Sequence, residues 1–216
     1  MAYSVKEIYL TLQGEGGQTG LPAVFLRFAG CNLWNGLETG RAEAICKFCD
    51  TDFVGTDGHG GGKFQSAKAL ADAVLSNWPV GKGNRWVVCT GGEPLLQLDA
   101  ALIDALHSAG FKVAVESNGT VRAPKGIDWL CISPKADAAL VQTSGHELKL
   151  VYPQAENHPR DFSHMDFQRF SLQPLDGTAR GDHGRNGEYL QAVLEYTQAH
   201  PQWCLSLQTH KLINIP

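Results

Sequence analysis

The chain has 216 residues, a formal net charge of −4, 43% hydrophobic residues and 19% charged residues, which excludes a disordered tail, a collagen and a coiled-coil rod. No stretch approaches the roughly 18 consecutive apolar residues of a membrane helix, and no export signal is visible. The slightly acidic balance also argues against a nucleic-acid partner. We therefore expect a single domain over residues 1–216, located in the cytoplasm and without membrane contact.

Short apolar strands alternate with helical patterns along the chain. Strands are predicted at residues 5–12, 23–29, 85–89, 112–116, 129–133, 148–152, 167–172 and 203–207. Helices are predicted where apolar residues recur every three or four positions, at 66–78, 95–106 and 189–196. This alternation predicts parallel β/α units, and about six fit into the length. The predicted fold class is α/β, an incomplete (β/α)6 TIM-like barrel with shortened or missing helices.

Three of the six cysteines lie in a long loop after the second predicted strand. Cys46 and Cys49 form a Cys-x2-Cys pair, and fourteen residues separate Cys31 from Cys46. A structural zinc site would need a fourth ligand such as His59, which lies in a glycine-rich run. A redox pair would leave Cys31 without a role. An iron–sulfur cluster held by three thiolates would keep one iron free for another ligand, and the cysteines alone do not decide between this cluster and zinc.

Polar side chains gather where the predicted strands end. In a parallel barrel these carboxyl ends form the face that carries the active site. They hold residues 13–16 (QGEG), 27–31 (RFAGC), 90–94 (TGGEP), 116–119 (ESNG), 133–135 (SPK), 173–176 (QPLD) and 208–210 (QTH). Taken alone, each segment is explained more simply as a turn or a helix cap than as part of a binding site. Their joint occurrence beside a three-cysteine loop indicates one site.

The sequence resembles the radical S-adenosylmethionine (radical SAM) enzymes in its three-cysteine loop, in Phe48 before the last cysteine and in residues 91–94 (GGEP). The usual loop of that superfamily is Cys-x3-Cys-x2-Cys, whereas this one is Cys-x14-Cys-x2-Cys, with the cluster-binding loop and its insert at about residues 30–62. Such an expansion costs only about 0.6 kcal/mol per doubling of loop length if the insert loops out. The closer resemblance is to the 7-carboxy-7-deazaguanine synthase family, and it covers nearly the whole chain. Its segments are 12–16, 25–34, 49–51, 90–94, 116–119 and 133–135.

The resemblance implies a lyase that converts 6-carboxy-5,6,7,8-tetrahydropterin to 7-carboxy-7-deazaguanine with loss of ammonia, in queuosine-type 7-deazapurine biosynthesis. The implied cofactors are a 4Fe-4S cluster, S-adenosyl-L-methionine (SAM) and Mg²⁺. The implied partners are the pterin substrate, a flavodoxin-type or similar electron donor and a second copy of the chain in a homodimer. An electron from the cluster would cleave SAM to methionine and a 5′-deoxyadenosyl radical, which would abstract hydrogen from C6 of the pterin.

The resemblance also implies roles for individual residues. Cys31, Cys46 and Cys49 would ligate the cluster, and Thr51 would bind Mg²⁺. The implied SAM-binding residues are Phe48, Asp50, Gly92, Glu93, Ser117, Asn118, Ser133, Lys135, Gln173 and Asp176. The implied substrate-binding residues are Leu12, Gln13, Gly14, Glu15, Arg27, Thr90, His210 and Pro216, the last through a terminal carboxylate.

Three charged side chains have a physical reason to bind a ligand. Arg27 lies in an apolar strand, where an unpaired guanidinium costs several kcal/mol, and its planar fork matches a substrate carboxylate. An internal ion pair, for instance with Glu15, would explain it equally simply. Lys135 at a strand end likewise requires an anion. Glu93 fits either an ammonium ligand or a helix start followed by Pro94.

Two other functions stay open from the sequence. An activating enzyme of the same superfamily, which makes a glycyl radical on a partner protein, would need an open groove for a peptide instead of a pocket around Arg27. A zinc-binding module without catalysis would hold one zinc ion and be colourless. Product analysis distinguishes the first alternative and metal analysis the second.

Overall fold

A computed structural model describes residues 2–81, 83–177 and 183–216. Within these ranges the strands are β1 (Tyr3–Leu12), β2 (Pro22–Phe28), β3 (Gly62–Phe64), β4 (Arg85–Gly91), β5 (Phe111–Ser117), β6 (Trp129–Ile132), β7 (Ser144–Tyr152), β8 (Asp166–Pro174) and β9 (Trp203–Leu205). The α-helices are α1 (Ala67–Ser76), α2 (Ala100–Ser108), α3 (Asn186–Ala199) and α4 (Thr209–Ile213). The strands form one sheet in the order β3-β1-β2-β4-β5-β6-β7-β8-β9.

Most of the sheet is parallel. Strand β2 and strands β4 to β9 run parallel to one another. Strand β1 pairs antiparallel with β2 and with β3, which gives the sheet a mixed edge. The prediction of an α/β fold with a large parallel sheet is therefore confirmed, while the antiparallel edge was not predicted.

The sheet is open, so the barrel part of the prediction is not confirmed. In the described residues, strands β3 and β9 end the sheet and no ladder joins them. The carboxyl ends of β1 and β9 nevertheless approach each other at a seam of two hydrogen bonds, one between backbone groups and one from the backbone to a side chain. The Thr209 N–H donates to the Gly14 carbonyl at 2.8 Å, and the Gly16 N–H donates to Ser206 Oγ at 2.8 Å. This seam brings the end of β1 next to the segment that follows β9.

Side chains alternate between the two faces of each strand. Leu148 and Leu150 of β7 are fully buried in the main core, which α1, α2 and α3 cover. Glu147 and Lys149 of the same strand are buried too and point to the opposite face by this alternation. The parallel strands thus carry aliphatic residues toward the helices and a series of polar residues toward the other face.

On that second face, the residues in the middle of the strands are apolar, and the residues at their carboxyl ends are polar. Trp86 and Val88 of β4 pack with Ala114 of β5 in a small buried cluster. Two residues farther along the same strands, on the same face, lie Thr90 and Glu116. The apolar cluster therefore forms a floor, and the polar strand ends lie above it.

Capping residues set where the helices begin. Ser66 accepts from the Ala69 N–H and starts α1 close to the predicted position. The helix predicted at 95–106 is wrong in its first part, because the chain makes a short 3-10 turn at Pro94–Leu96. Helix α2 begins only after Asp99, whose Oδ1 accepts from the Leu102 N–H at 2.9 Å. None of the helices in the described ranges has both the length and the apolar character that a membrane crossing requires.

Candidate active site

Two adjoining cavities lie at the carboxyl ends of the parallel strands. The cysteine cavity, of about 200 Å³, is lined by Cys31, Cys46 and Cys49. The arginine cavity, of about 300 Å³, is lined by Arg27. The walls that the two cavities share are Glu15, Asp50, Thr51, Thr90, Glu116 and Gln208. The strand ends that the sequence singled out therefore do come together at one place.

The three loop cysteines differ in their surroundings. Cys46 donates a hydrogen bond to Cys49, and this bond is the largest cause that lowers the pKa of Cys49 to about 6. The same bond and burial raise the pKa of Cys46. Burial raises the pKa of Cys31, although the Leu33 N–H donates to its Sγ at 3.4 Å. Two of the thiols are in contact, and all three face one cavity.

This arrangement suits an iron–sulfur cluster better than a zinc ion. Zinc requires four side chains that converge on one point. Among the residues of the three described ranges, no three His, Cys, Asp or Glu side chains converge in that way. His59 does not line the cysteine cavity; its carbonyl accepts from the Ile8 N–H at 2.7 Å beside β1. A cluster with three cysteine ligands needs no fourth side chain, and the three cysteines that line one cavity can supply those ligands.

Nine of the ten residues predicted to bind SAM line the cysteine cavity. They are Phe48, Asp50, Gly92, Ser117, Asn118, Ser133, Lys135, Gln173 and Asp176. Lys135 is the most informative: its Nζ lies 2.6 Å from the Ser133 carbonyl and 2.7 Å from Ser133 Oγ. It also lies 6.0 Å from the centre of the Phe48 ring. Because these partners are uncharged, the ammonium can still pair with an anion in the cavity.

Glu93 is the tenth residue of that prediction, and it does not line either cavity. Its side chain is 0% exposed. Oε1 accepts from the Leu95 N–H and the Ser117 hydroxyl, both at 2.9 Å, and Oε2 accepts from the Asn118 N–H at 2.8 Å. Burial raises the pKa of Glu93 despite these donors. The Glu93 carboxylate thus holds Ser117 and Asn118, which line the cysteine cavity, although Glu93 itself does not line it.

Gly92 lies where the end of β4 touches the cysteine loop. A Cβ atom at this position would lie 2.2 Å from the Gly30 carbonyl oxygen and 2.7 Å from Cys31 Cβ. Only glycine permits this approach without a shift of the backbone. The glycine therefore holds the first cysteine against the strand end that carries the polar residues.

Arg27 is paired inside the protein, but with a different acid from the one expected. Its Nε donates to Glu7 Oε1 at 2.7 Å, and its Nη2 donates to the Tyr9 hydroxyl at 2.9 Å. The Tyr9 ring stacks on Phe25, with ring centres 5.7 Å apart. These contacts engage only part of the five N–H groups of a guanidinium, so the others remain for a ligand carboxylate. Glu7 and Tyr9 fix the orientation of the fork.

The expected alternative partner of Arg27, Glu15, instead shares a lysine with Glu116. Lys149 Nζ lies 2.7 Å from Glu15 Oε2 and 2.9 Å from Glu116 Oε2, and its side chain is almost fully buried. Three glutamines complete the network, which lies between the two cavities. They are Gln173 and Gln208, which donate to Glu15 Oε1, and Gln13, which donates to Glu116 Oε1.

The two glutamates of this network differ in their ease of protonation. Burial would raise the pKa of Glu15, but the charge of Lys149 and its hydrogen bonds hold it at about 2. Burial does raise the pKa of Glu116, and Lys149 only partly opposes this. Burial would lower the pKa of Lys149, yet the two carboxylates keep it well above its ordinary value. Of the two glutamates, Glu116 is therefore the one that more readily accepts a proton.

All eight residues predicted to bind the substrate line the arginine cavity. They are Leu12, Gln13, Gly14, Glu15, Arg27, Thr90, His210 and Pro216. The His210 ring covers Gly14, where a Cβ atom would lie 2.2 Å from His210 Nδ1. The Pro216 carbonyl accepts from the Thr11 hydroxyl at 2.9 Å, which keeps the last residues at the mouth of the cavity.

Lys211 links helix α4 to two acids at the rim of the site. Lys211 Nζ lies 2.6 Å from Asp50 Oδ2 on the cysteine loop and 2.5 Å from Asp176 Oδ2 after β8. The three side chains, which we call the rim clasp, are each partly exposed. The clasp joins three segments that are far apart in sequence.

Several cavity residues were not predicted. They include Glu7, Tyr9, Glu116, Lys149, Gln208 and Lys211. Lys149 interrupts an apolar strand just as Arg27 does, so the same signal would have found it. Glu116 and Gln208 lie in strand ends that were noted without a role. The partners of Arg27 carried no comparable signal, because Glu7 and Tyr9 look like ordinary outward residues of β1.

Comparisons with known proteins complete the description of the site. No protein-family model matches the chain. It is 60% identical over 216 residues to the 7-carboxy-7-deazaguanine synthase of Caulobacter vibrioides and 55% identical over 216 residues to that of Burkholderia multivorans, in both cases over 100% of each chain. The crystal structure of QueE from Escherichia coli is similar with a TM-score of 0.68 and 26% identity, over 97% of this chain and 95% of that one. The chain therefore belongs to the 7-carboxy-7-deazaguanine synthase family.

Proposed function

We propose that this chain converts 6-carboxy-5,6,7,8-tetrahydropterin to 7-carboxy-7-deazaguanine as a radical SAM lyase of 7-deazapurine biosynthesis. The observation that carries the proposal is the pair of adjoining cavities, one with three cysteines and Lys135, the other with Arg27. Substrate and product differ by one ammonia, so the net reaction needs no oxidant or reductant. When bound, a 4Fe-4S cluster and SAM supply the radical that starts such a reaction.

The cysteine cavity would hold the cluster and SAM. Cys31, Cys46 and Cys49 bind three irons and leave the fourth for the amino and carboxylate groups of SAM. Lys135, which has only uncharged partners in the described chain, pairs with an anionic group of SAM. Glu93 holds Ser117 and Asn118 in place from behind the wall.

The arginine cavity would hold the pterin. Arg27 binds its carboxylate with the N–H groups that Glu7 and Tyr9 leave open, since a guanidinium matches a carboxylate fork. Gln13, Thr90 and His210 supply donors and acceptors for the polar edge of the bicycle. Positioning of this kind is the main contribution a protein makes to radical chemistry, because two small molecules must meet at a fixed distance with water excluded.

The network of Lys149 with Glu15 and Glu116 stands between the two ligands. Because Glu116 accepts a proton more readily than Glu15, it is suited to take up or return the proton that the rearrangement moves. Lys149 keeps both carboxylates in place and Glu15 ionised. We propose Glu116 as the proton carrier and Lys149 as a positioning residue.

Mg²⁺ belongs to the same proposal. Thr51 lines both cavities, and one neutral hydroxyl suits a hard ion that keeps several of its waters and takes its charge from a ligand carboxylate. Removal of divalent ions is expected to lower turnover, and Mg²⁺ is expected to restore it in the wild type but less well in Thr51→Ala. Equal activity with and without Mg²⁺ would exclude this role.

The experiment that tests the function is an anaerobic incubation of the reconstituted protein with a reductant, SAM and 6-carboxytetrahydropterin. Formation of 7-carboxy-7-deazaguanine and ammonia in equal amounts supports the proposal. Cleavage of SAM without deazaguanine would refute the substrate assignment. Binding of one zinc ion in place of iron and sulfide would refute the cluster.

The other expectations remain proposals. We propose that the open sheet is an incomplete (β/α)6 barrel within one domain, in which the contacts of the seam take the place of the missing strand pairing. A homodimer is tested by sedimentation, and a flavodoxin-type electron donor by its ability to replace the chemical reductant. The glycyl-radical alternative has less support, because the arginine cavity is built around a fixed guanidinium.

A further inference from the structure

The long insert between Cys31 and Cys46 folds back onto the cysteine loop and does not loop out. A 3-10 turn at Glu38–Gly40 begins its return. The Ile45 and Cys46 N–H groups then both donate to the Leu33 carbonyl, at 3.1 and 3.3 Å. Within the insert, Trp34 and Ala44 pack with Phe53 in a small apolar cluster of their own. The insert is therefore a compact unit that returns the chain to the second cysteine.

Arg41 connects this unit to the Cys-x2-Cys turn. Its Nη1 donates to the carbonyl of Lys47 at 3.2 Å and to that of Cys49 at 3.0 Å. Its Nε and Nη2 form a fork with Glu38, at 2.7 and 2.5 Å. Its guanidinium carbon lies 4.1 Å from the centre of the Trp34 ring. All sides of this cation are thus engaged, and its side chain is 17% exposed.

These contacts determine the shape of the turn that carries two of the three cysteines. The Lys47 and Cys49 carbonyls lie on either side of Phe48, and one guanidinium holds both. A planar fork held by a carboxylate and an aromatic face has little freedom to move, so the two carbonyls have little freedom as well.

We propose that Arg41 is a positioning residue for the iron–sulfur cluster: the insert carries a clamp that sets the Cys46–Cys49 turn before the cluster arrives. The inference rests on the proposed function, because it assumes that these cysteines hold a cluster. It gives the expanded loop a role, since a shorter loop has no chain with which to build such a clamp. The cation also lies near the thiolates and stabilises the additional negative charge of a reduced cluster.

The test compares Arg41→Gln and Arg41→Lys with the wild type. In the protein without cluster, hydrogen exchange of the amides at 46–51 should speed up about tenfold or more in Arg41→Gln, the factor expected from lost hydrogen bonds to a charged group. After reconstitution, this variant should lose iron to a chelator faster by a similar factor, and its cluster should have a more negative midpoint potential. Arg41→Lys should leave the midpoint potential of the cluster unchanged, because it keeps the positive charge. It should still speed up hydrogen exchange at 46–51, because lysine lacks the planar fork of the guanidinium.

Two further variants make the outcome decisive. Lys47→Gln removes an exposed positive charge from the same turn and leaves the clamp intact, so it should change neither exchange nor iron retention. Glu38→Gln weakens the paired hydrogen bonds to Arg41 but keeps the cation. It should speed up hydrogen exchange of the same amides by a smaller factor. This variant tests the clamp even if Arg41→Gln does not fold. If hydrogen exchange and iron retention are unchanged in both Arg41→Gln and Glu38→Gln, the inference is wrong. A wild type that takes up no iron would instead refute the proposed function.

Discussion

Arg27 is a buried cation that has hydrogen-bond partners within the protein and still has N–H groups that can bind a ligand. Glu7 and Tyr9 hold one side of its fork, and the other side faces the arginine cavity. Two partners from β1 thus preorganise a residue of β2 before any ligand binds. Under the proposed function, the specificity for a carboxylated pterin would depend on this orientation as much as on the charge.

The first prediction concerns Arg27→Ala. Truncation of one partner of a buried charge pair costs about 2–5 kcal/mol, so kcat/KM for the pterin should fall about 30- to 4,000-fold, while SAM cleavage without product continues. Steady-state assays of both products measure this. Arg122→Ala, which changes an exposed arginine outside both cavities, is the matched control and should have little effect. An equal loss of SAM cleavage would show that Arg27 does not act on the pterin alone.

The second prediction concerns Lys149→Met. Removing the cation leaves Glu15 and Glu116 buried without it, which should cost about 3–5 kcal/mol of unfolding free energy at neutral pH. Without Lys149 the folded pKa of both carboxyls rises above the unfolded value of 4.5. Groups with a raised folded pKa stabilise below the unfolded pKa, and this stability is lost as the pH rises through the folded pKa. The variant should therefore be more destabilised at pH 8 than at pH 5.

Urea unfolding at both pH values checks this prediction. Lys68→Met is the control, because Lys68 forms an exposed pair with Asp72 and should change little at either pH. In the wild type, Glu15 works in the opposite direction, since its folded pKa of about 2 gives stability above pH 4.5 that is lost as the pH falls toward 2. A destabilisation of Lys149→Met that is the same at pH 5 and pH 8 would mean that lost packing, not charge, is responsible.

At the scale of elements, helix α4 depends on the rim clasp for its attachment to the site. Its five residues are too few to be stable alone, and Lys211 links it to Asp50 and Asp176. Both acids line the cysteine cavity, whereas Lys211 lines the arginine cavity. Under the proposed function, the clasp would therefore couple the placement of SAM and of the pterin.

The third prediction concerns Lys211→Met. Each partly exposed pair contributes below about 1 kcal/mol, so the Kd for SAM should rise about two- to tenfold. Titration of SAM into the reconstituted protein measures it. The difference from wild type should shrink at high salt, because salt screens exposed charges. If the difference is the same at low and high salt, the clasp does not act through charge.

The elements themselves were predictable to different degrees, for physical reasons. The long strands follow from alternation of aliphatic and polar residues, as in β7, where Leu148 and Leu150 face the core. The start of α2 was missed because the Asp99 cap interrupts an apolar spacing that runs on from Leu95. Strand β3 and helix α4 are too short to show a period. The pairing of Arg27 with Glu7 depends on a register between β1 and β2 that the sequence does not express.

At the scale of the whole molecule, one core connects most of the elements. It extends from Tyr3 on β1 through Leu102 on α2 and Leu172 on β8 to Trp203 on β9. The cysteine loop adds only a small separate cluster around Phe53. A chain in which one core connects most of the elements should fold as a unit. The single domain expected from its length stays a prediction.

The fourth prediction is that the protein without cluster unfolds in one cooperative transition. Tryptophan fluorescence and far-ultraviolet circular dichroism should give coincident curves in urea, because no part of the main core can be lost alone. Two separated transitions would contradict the single domain. The same measurement on the reconstituted protein should move the midpoint upward, since ligands that bind only the folded state stabilise it.

The seam has a consequence for biogenesis. The hydrogen bond from Gln208 to Glu15 joins residues 193 positions apart, and the two hydrogen bonds of the seam lie beside it. A nascent chain can therefore display its three thiols long before the opposite wall has left the ribosome. Contacts between such distant segments are also the slowest to form. Iron delivered during synthesis would meet solvent and oxygen on an unfinished surface, so the metal is best loaded after translation, when the protein already shields it.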